Sequence, residues 1–135
     1  MQAIKNLKAR KQEIMDEIKR NAQSALKEAF TEFFEANPDV RLIAWSQYTP
    51  YFNDGDVCQF SVNSFCSPKD DKQAEQYLAG ELSVYDLDEH WQSGSPVGTF
   101  AKDVIDNDIF EAAFGDHVEV VATREGFKVA EYNHD

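Results

Sequence analysis

The first 36 residues contain neither glycine nor proline, and their apolar side chains recur at the spacing of an α-helix. This pattern predicts one long amphipathic helix over residues 1–36. The helix should end ahead of Pro38, because a proline disfavours helical geometry in the residue before it. Only Lys11 interrupts the apolar face, which would consist of Ile4, Leu7, Ile14, Met15, Ile18, Ala22, Ala25, Leu26, Ala29 and Phe33.

A helix of this length is longer than the rest of the chain is wide. At about 1.5 Å per residue it measures roughly 50 Å, whereas a body of about 100 residues spans only about 30–35 Å. We therefore expect the first half to project and to pair with an identical chain. A bend near Asn21, a membrane surface and a foreign protein are the alternatives. The expected oligomer interface consists of Ile4, Leu7, Ile14, Met15 and Ile18.

Residues 37–135 should form an α+β body, and it begins with a β-hairpin. Two segments rich in aromatic and β-branched residues flank the sequence Asn-Asp-Gly-Asp at 53–56, and Asp-Gly is a preferred two-residue hairpin turn. The turn would place Gln47 opposite Val62 and Trp45 opposite Ser64. A calcium loop would need further oxygen ligands, which the sequence after Asp56 lacks.

The alternation of side chains in this hairpin predicts two different faces. One face is apolar and should join the core; it collects Ile43, Trp45, Tyr51, Cys58, Phe60 and Val62. The other face is polar and aromatic, and Pro50 marks an irregular edge beside it. We interpret this second face as a candidate surface for a ligand or a peptide, with an ordinary solvated sheet face as the alternative. Its residues are Ser46, Tyr48, Gln59, Ser61 and Asn63.

The remaining chain predicts a third strand within residues 81–89, one or two short helices within 99–116, and a second hairpin around Arg124, Glu125 and Gly126. Thr99, Asp106 or Asp108 could cap the helices, and Gly115 suits a helix end. The expected fold is therefore α+β, with a long N-terminal helix, an antiparallel sheet built from two hairpins, and a short helix between them. Helices should pack on one face of that sheet.

Cysteine and histidine spacing matches no diagnostic pattern for a metal or a cofactor, and we expect neither. Cys58 and Cys66 would share one strand and one face about 27 Å apart, too far for a disulfide, so we expect free thiols in a reducing compartment. No phosphate-binding, zinc-protease or nucleophile motif is present. His117 and His134 could approach each other, with Asp116 or Glu131 beside them, which leaves a metal-dependent enzyme as a third hypothesis.

Charge is distributed unevenly along the chain. The formal net charge is −12, but residues 1–38 carry +1 and residues 39–135 carry −13. Such a body lacks the cations that bind a nucleic-acid backbone, and it suits a basic protein partner. Without a signal peptide or a membrane-spanning segment, a cytoplasmic protein is expected.

The stretch "WSQYTPYFNDGDVCQFSV" and the tail "FGDHVEVVATREGFKVAEYNHD" resemble small proteins of tailed bacteriophages. The resemblance implies a viral context in a bacterial host, and it transfers no site residues. We therefore expect a non-enzymatic acidic protein that binds and inhibits or modulates a host protein with a basic surface. A small-ligand binder, for instance one that sequesters a nucleotide, is the alternative; the basic residues available for phosphate are Arg41, Arg124 and Lys128.

Overall fold

The computed structural model describes residues 1–50, 55, 58–90 and 94–132. The α+β fold is confirmed, with a long N-terminal helix and an antiparallel sheet. In chain order the elements are α1 (Gln2–Ala36), β1 (Ile43–Tyr48), β2 (Ser61–Val62), β3 (Cys66–Ser67), α2 (Asp71–Leu78), a 3₁₀ helix (Val84–Asp86), β4 (Asp88–Glu89), α3 (Pro96–Val104), α4 (Asn107–Phe114), β5 (Val118–Thr123) and β6 (Gly126–Glu131).

The sheet has the order β4-β3-β1-β5-β6, and β2 pairs with β1 as well. Gln47 lies opposite Val62, as the hairpin register predicts. Further along β1, Ala44 lies opposite Cys66 of β3. The segment from β2 to β3 therefore contains one extra residue relative to β1, and the predicted pair of Trp45 and Ser64 is not formed. Of the predicted turn, Gly55 has φ +82°, while Asp54 lies outside the described residues.

The extra residue reverses the side chains beyond it, because neighbouring residues of a strand point to opposite faces. Phe65 therefore joins Val62 under the long helix, while Cys66 belongs to a second cluster on the other side of the sheet. The prediction that Cys66 shares a face with Val62 is wrong. Both cysteines are free thiols, as expected.

The larger core lies between the sheet and helices α1, α3 and α4. Phe30 of α1 is at its centre, with ring centroids 5.6 Å from Trp45, 4.8 Å from Phe100 and 5.2 Å from Phe127. Phe110 of α4 is fully buried in this core, whereas its neighbour Ile109 is exposed.

A smaller core covers part of the opposite face, so the prediction that helices pack on one face only is wrong. The 3₁₀ helix replaces most of the expected third strand, whose only paired residues are Asp88 and Glu89. Helix α2 was not predicted, although Asp70 caps it by accepting a hydrogen bond from the Gln73 amide. The cluster consists of Leu42, Ala44, Cys66, Ala74, Tyr77, Val84 and Leu87.

The ends of the shorter elements agree only in part with the sequence signals. Asp106 caps α4 as proposed and Gly115 ends it, but α3 begins earlier than expected, with Ser95 rather than Thr99 as its cap. In the last hairpin Thr123 lies opposite Gly126, which leaves a two-residue turn in place of the predicted three-residue one.

Helix α1 is continuous from Gln2 to Ala36, so the alternative of a bend near Asn21 is not observed. Its buried residues all lie from Ala22 onward. The side chains of the first half are largely exposed, so this half of α1 extends beyond the hydrophobic core; the exposed fractions are 41–65% for Ile4, Leu7, Ile14, Met15 and Ile18.

The C-terminal end of α1 is held by Arg124 from the turn between β5 and β6. Its guanidinium donates to the carbonyl oxygens of Phe34 at 3.2 Å, Pro38 at 2.9 Å and Val40 at 3.2 Å. It also lies 5.5 Å from the centroid of the Phe34 ring. The last turn of α1 has no basic residue of its own, so Arg124 supplies the positive charge that a helix C-terminus favours.

Replacing Arg124 with Ala should lower the free energy of unfolding by about 1–2 kcal/mol, because the bonds from a charged donor to these carbonyls are lost. Arg124→Lys should recover only part of this, since an ammonium lacks the planar fork. Urea denaturation measures the effect. Lys128→Ala, an exposed change in the same hairpin, is the control, and equal losses in both variants would contradict the capping role.

The two thiols should differ sharply in reactivity toward a disulfide reagent at about pH 8. Burial, with help from Glu89 and Glu119, raises the pKa of Cys66 to about 12, so almost no reactive thiolate forms there. Cys58 is half-buried and should react promptly. We expect one fast thiol in the wild type and none in Cys58→Ser, with Cys66 reacting only after unfolding. Two fast thiols in the wild type would refute this.

Candidate functional site

Four of the five tyrosines gather on the sheet face opposite α1. Strand pairing explains the positions of two of them. The Tyr132 amide donates to the His117 carbonyl at 2.8 Å, and Tyr48 lies opposite Ser61 on the other side of β1. Tyr85 comes from the 3₁₀ helix and Tyr77 from α2. We refer to Tyr48, Tyr77, Tyr85, Tyr132 and Glu119 as the tyrosine face.

Three rings of the tyrosine face are in contact, because Tyr48 and Tyr85 both pack against Tyr132. Tyr48 and Tyr132 stack with centroids 5.6 Å apart, and the Tyr48 ring also lies 6.3 Å from that of His117. Tyr85 packs against Tyr132 at 6.5 Å, and their hydroxyl groups are hydrogen-bonded. Tyr85 is nevertheless 58% exposed. The result is a partly open aromatic surface held in place by contacts between its own rings.

The electrostatic environment of this surface is acidic. The Tyr77 hydroxyl donates to the Glu119 carboxylate at 2.7 Å, and burial together with this bond raises the pKa of Tyr77. Burial and the neighbouring Tyr85 raise the pKa of Tyr132 as well. Glu89 lies on the same side of the sheet, and neither Glu89 nor Glu119 forms an ion pair with another described residue. The face can therefore receive positive charge.

The loop before β5 fixes one edge of the tyrosine face. Asp116 accepts hydrogen bonds from the amide and the hydroxyl of Thr49, both at 2.7 Å. Burial opposes ionisation, but these bonds prevail and lower the pKa of Asp116. His117 follows with φ +56°, a conformation that is uncommon outside glycine. The connection therefore positions His117 beside Tyr48.

The five site residues predicted from the sequence stay a prediction as a binding surface, and the structure brings four of them together in two pairs. Tyr48 and Ser61 are paired across the strands. Ser46 is only 1% exposed, and its hydroxyl accepts a hydrogen bond from the half-buried Asn63 at 2.8 Å. Gln59 is exposed. Only Tyr48 belongs to the tyrosine face, so the sequence indicated the right side of the sheet but missed most of its ring contacts.

A hydroxyl–imidazole–hydroxyl chain lies at the opposite edge. His90 Nε2 is 2.7 Å from Ser67 Oγ, and His90 Nδ1 is 2.8 Å from Ser95 Oγ. A serine beside an imidazole is the pairing that activates a nucleophile in some hydrolases. Here Ser67 is only 7% exposed and Ser95 caps α3. These hydrogen bonds through His90 therefore connect β3 to the start of that helix.

The three cations noted for phosphate binding do line one pocket, of about 480 Å³, at the far end of the same sheet face. Two of them already have partners. Arg41 pairs with Glu75 at 2.9 Å, and Arg124 holds the end of α1. Lys128 shares the pocket with Glu125. This arrangement leaves little uncompensated positive charge for a nucleotide.

The part of the chain that the structure describes contains no metal-binding cluster. Within residues 1–50, 55, 58–90 and 94–132, no three His, Cys, Asp or Glu side chains could hold a metal ion together. His134 lies outside these residues, so its predicted approach to His117 stays a prediction. None of the described helices is long and apolar enough to cross a membrane. No protein-family model, curated protein or solved structure matches the chain.

His90 should make stability depend on pH. Burial lowers its pKa, against the attraction of Asp88, so the folded protein protonates this ring less readily than the unfolded chain does. The stability that neutral His90 contributes is present above the unfolded pKa of about 6.5 and is lost as the pH falls toward the lower folded pKa. Between about pH 7.5 and 5.5, urea denaturation should show that the free energy of unfolding falls more in the wild type than in His90→Gln. Equal losses would contradict the assignment.

Proposed function

We propose that the chain is a non-enzymatic binding protein whose tyrosine face recognises a basic segment of a protein partner. The observation that supports this is the contact between Tyr48, Tyr85 and Tyr132 on an acidic and partly open sheet face. Tyrosine is enriched at protein interfaces, where it provides a large contact area together with a hydrogen-bonding hydroxyl.

Lysine and arginine suit this face better than other side chains do. A cation within about 6 Å of a tyrosine ring is attracted to its face by about 0.5–2 kcal/mol, depending on how well water is excluded. Glu119 and Glu89 add negative charge on the same side of the sheet. Aromatic contact and charge attraction therefore favour the same kind of partner.

The charge of the whole body supports the same choice. Residues 39–135 carry a formal net charge of −13, which attracts a basic partner from a distance of up to about one Debye length. This long-range attraction accelerates encounter, and the ring contacts then determine where the partner binds. The resemblance to phage proteins suggests a bacterial host protein in the cytoplasm as the partner, with inhibition or modulation as the result of binding.

The exposed half of α1 supports a second part of this proposal, that the protein works as a homo-oligomer. Its five exposed apolar side chains occupy one stripe of a helix that is otherwise strongly charged. Apolar patches of this kind mark contact sites rather than ordinary surface. Self-association uses a different side of the molecule from the tyrosine face, so both contacts can form at once.

A fluorescently labelled peptide rich in Lys and Arg should bind the full chain at low salt, as measured by anisotropy. A Glu-rich peptide of the same length should not bind. Tyr85→Ala should weaken binding about tenfold, because truncating a central interface aromatic typically costs more than 1 kcal/mol. Tyr85→Phe keeps the aromatic ring and should lose much less affinity for the peptide than Tyr85→Ala.

Leu78→Ala is the matched control, since Leu78 is an exposed apolar residue outside the tyrosine face. Higher salt should weaken binding of all variants in parallel. If Tyr85→Ala and Leu78→Ala bind the basic peptide equally well, the body attracts cations without a defined site and the proposed role of the tyrosine face is wrong.

A further inference from the structure

A groove separates the projecting half of α1 from helix α4. It has a volume of about 640 Å³, with Met15 and Ile18 of α1 on one side and Ala112 and Phe114 of α4 on the other. We propose that this groove receives the N-terminal tip of α1 from a second copy of the chain, so that two subunits exchange their tips across a twofold axis. This inference rests on the proposed self-association and adds the surface that receives the helix.

The size of the helix shows why pairing of the two α1 segments is insufficient by itself. Twenty residues form a helix about 30 Å long and 10 Å wide, which presents a projected area of about 300 Å². Even doubled for the relief of its side chains, this is about 600 Å² per subunit, below the roughly 800 Å² of a standard stable interface. The groove beside α4 supplies additional surface directly next to the stripe.

An antiparallel arrangement matches the positions of the apolar residues. If Ile4 of one chain lies beside Ile18 of the other, Leu7 lies beside Met15 in the same register. The N-terminal tip of one chain then lies beside the part of the other chain's α1 that lines the groove. Lys11 falls near the twofold axis, where its methylene stem can cover apolar surface while its ammonium group stays in water.

Charge complementarity identifies a second copy as the occupant. The tip carries Lys5 and Lys8, whereas the groove contributes three acids and one lysine. Two of the acids, Asp108 and Glu111, belong to α4, the wall that a bare pair of helices would not touch. A basic tip therefore fits an acidic groove on the same kind of molecule, and each subunit presents one of each.

Light scattering coupled to size exclusion, at about 50 mM salt, should give twice the chain mass of 15.4 kDa. Lys5→Glu/Lys8→Glu should raise the dissociation constant of the dimer at least about tenfold, because it places like charges across the groove. Asp108→Lys/Glu111→Lys should weaken the dimer similarly. Combining all four changes in one chain should restore an affinity close to that of the wild type.

Arg10→Glu/Arg20→Glu is the matched control, since it makes the same change in net charge at two exposed residues of α1 that do not line the groove, and it should leave the dimer intact. Circular dichroism should verify that every variant is folded. A monomeric wild type would overturn self-association itself. A dimer in which the four-residue combination fails to restore affinity would keep self-association and overturn docking against α4.

Discussion

The burial of Phe30 joins the long helix to the sheet, and the rest of the core is arranged around that contact. Its ring meets Trp45 from the central strand, Phe100 from α3 and Phe127 from the last strand. Edge-to-face and stacked aromatic contacts of this kind add to the stabilisation from area burial alone. One residue near the end of α1 therefore contacts three parts of the chain that are distant in sequence.

A buried polar side chain gives this aromatic core a fixed orientation. Gln47 accepts a hydrogen bond from the Trp45 indole at 2.9 Å and donates to the carbonyl oxygens of Phe110 at 3.0 Å and Gly115 at 2.8 Å. A buried amide is costly unless its groups are bonded, and here both its nitrogen and its oxygen are. Gln47 thus connects the central strand to the end of α4, beside the connection that leads to the tyrosine face.

Local sequence signals predicted the elements that depend on periodicity or on a turn. The extent of α1, the pairing of Gln47 with Val62 and the capping of α4 by Asp106 follow from spacing and turn chemistry alone. The extra residue before Cys66 has no such signal, because a bulge is set by contacts across the sheet. The failure to predict α2 hid Tyr77 and its cluster, so the candidate site was located only through Tyr48.

Helix α1 is one continuous helix, but its two halves differ in local stability. From Ala22 onward its hydrogen bonds break only when the aromatic core opens, whereas the first five turns in a lone subunit have no such support. Helices of that length interconvert with coil in about 0.1–1 µs. In an isolated subunit the tip therefore forms and frays many times during one opening of the body, and order in it comes from whatever covers its apolar face.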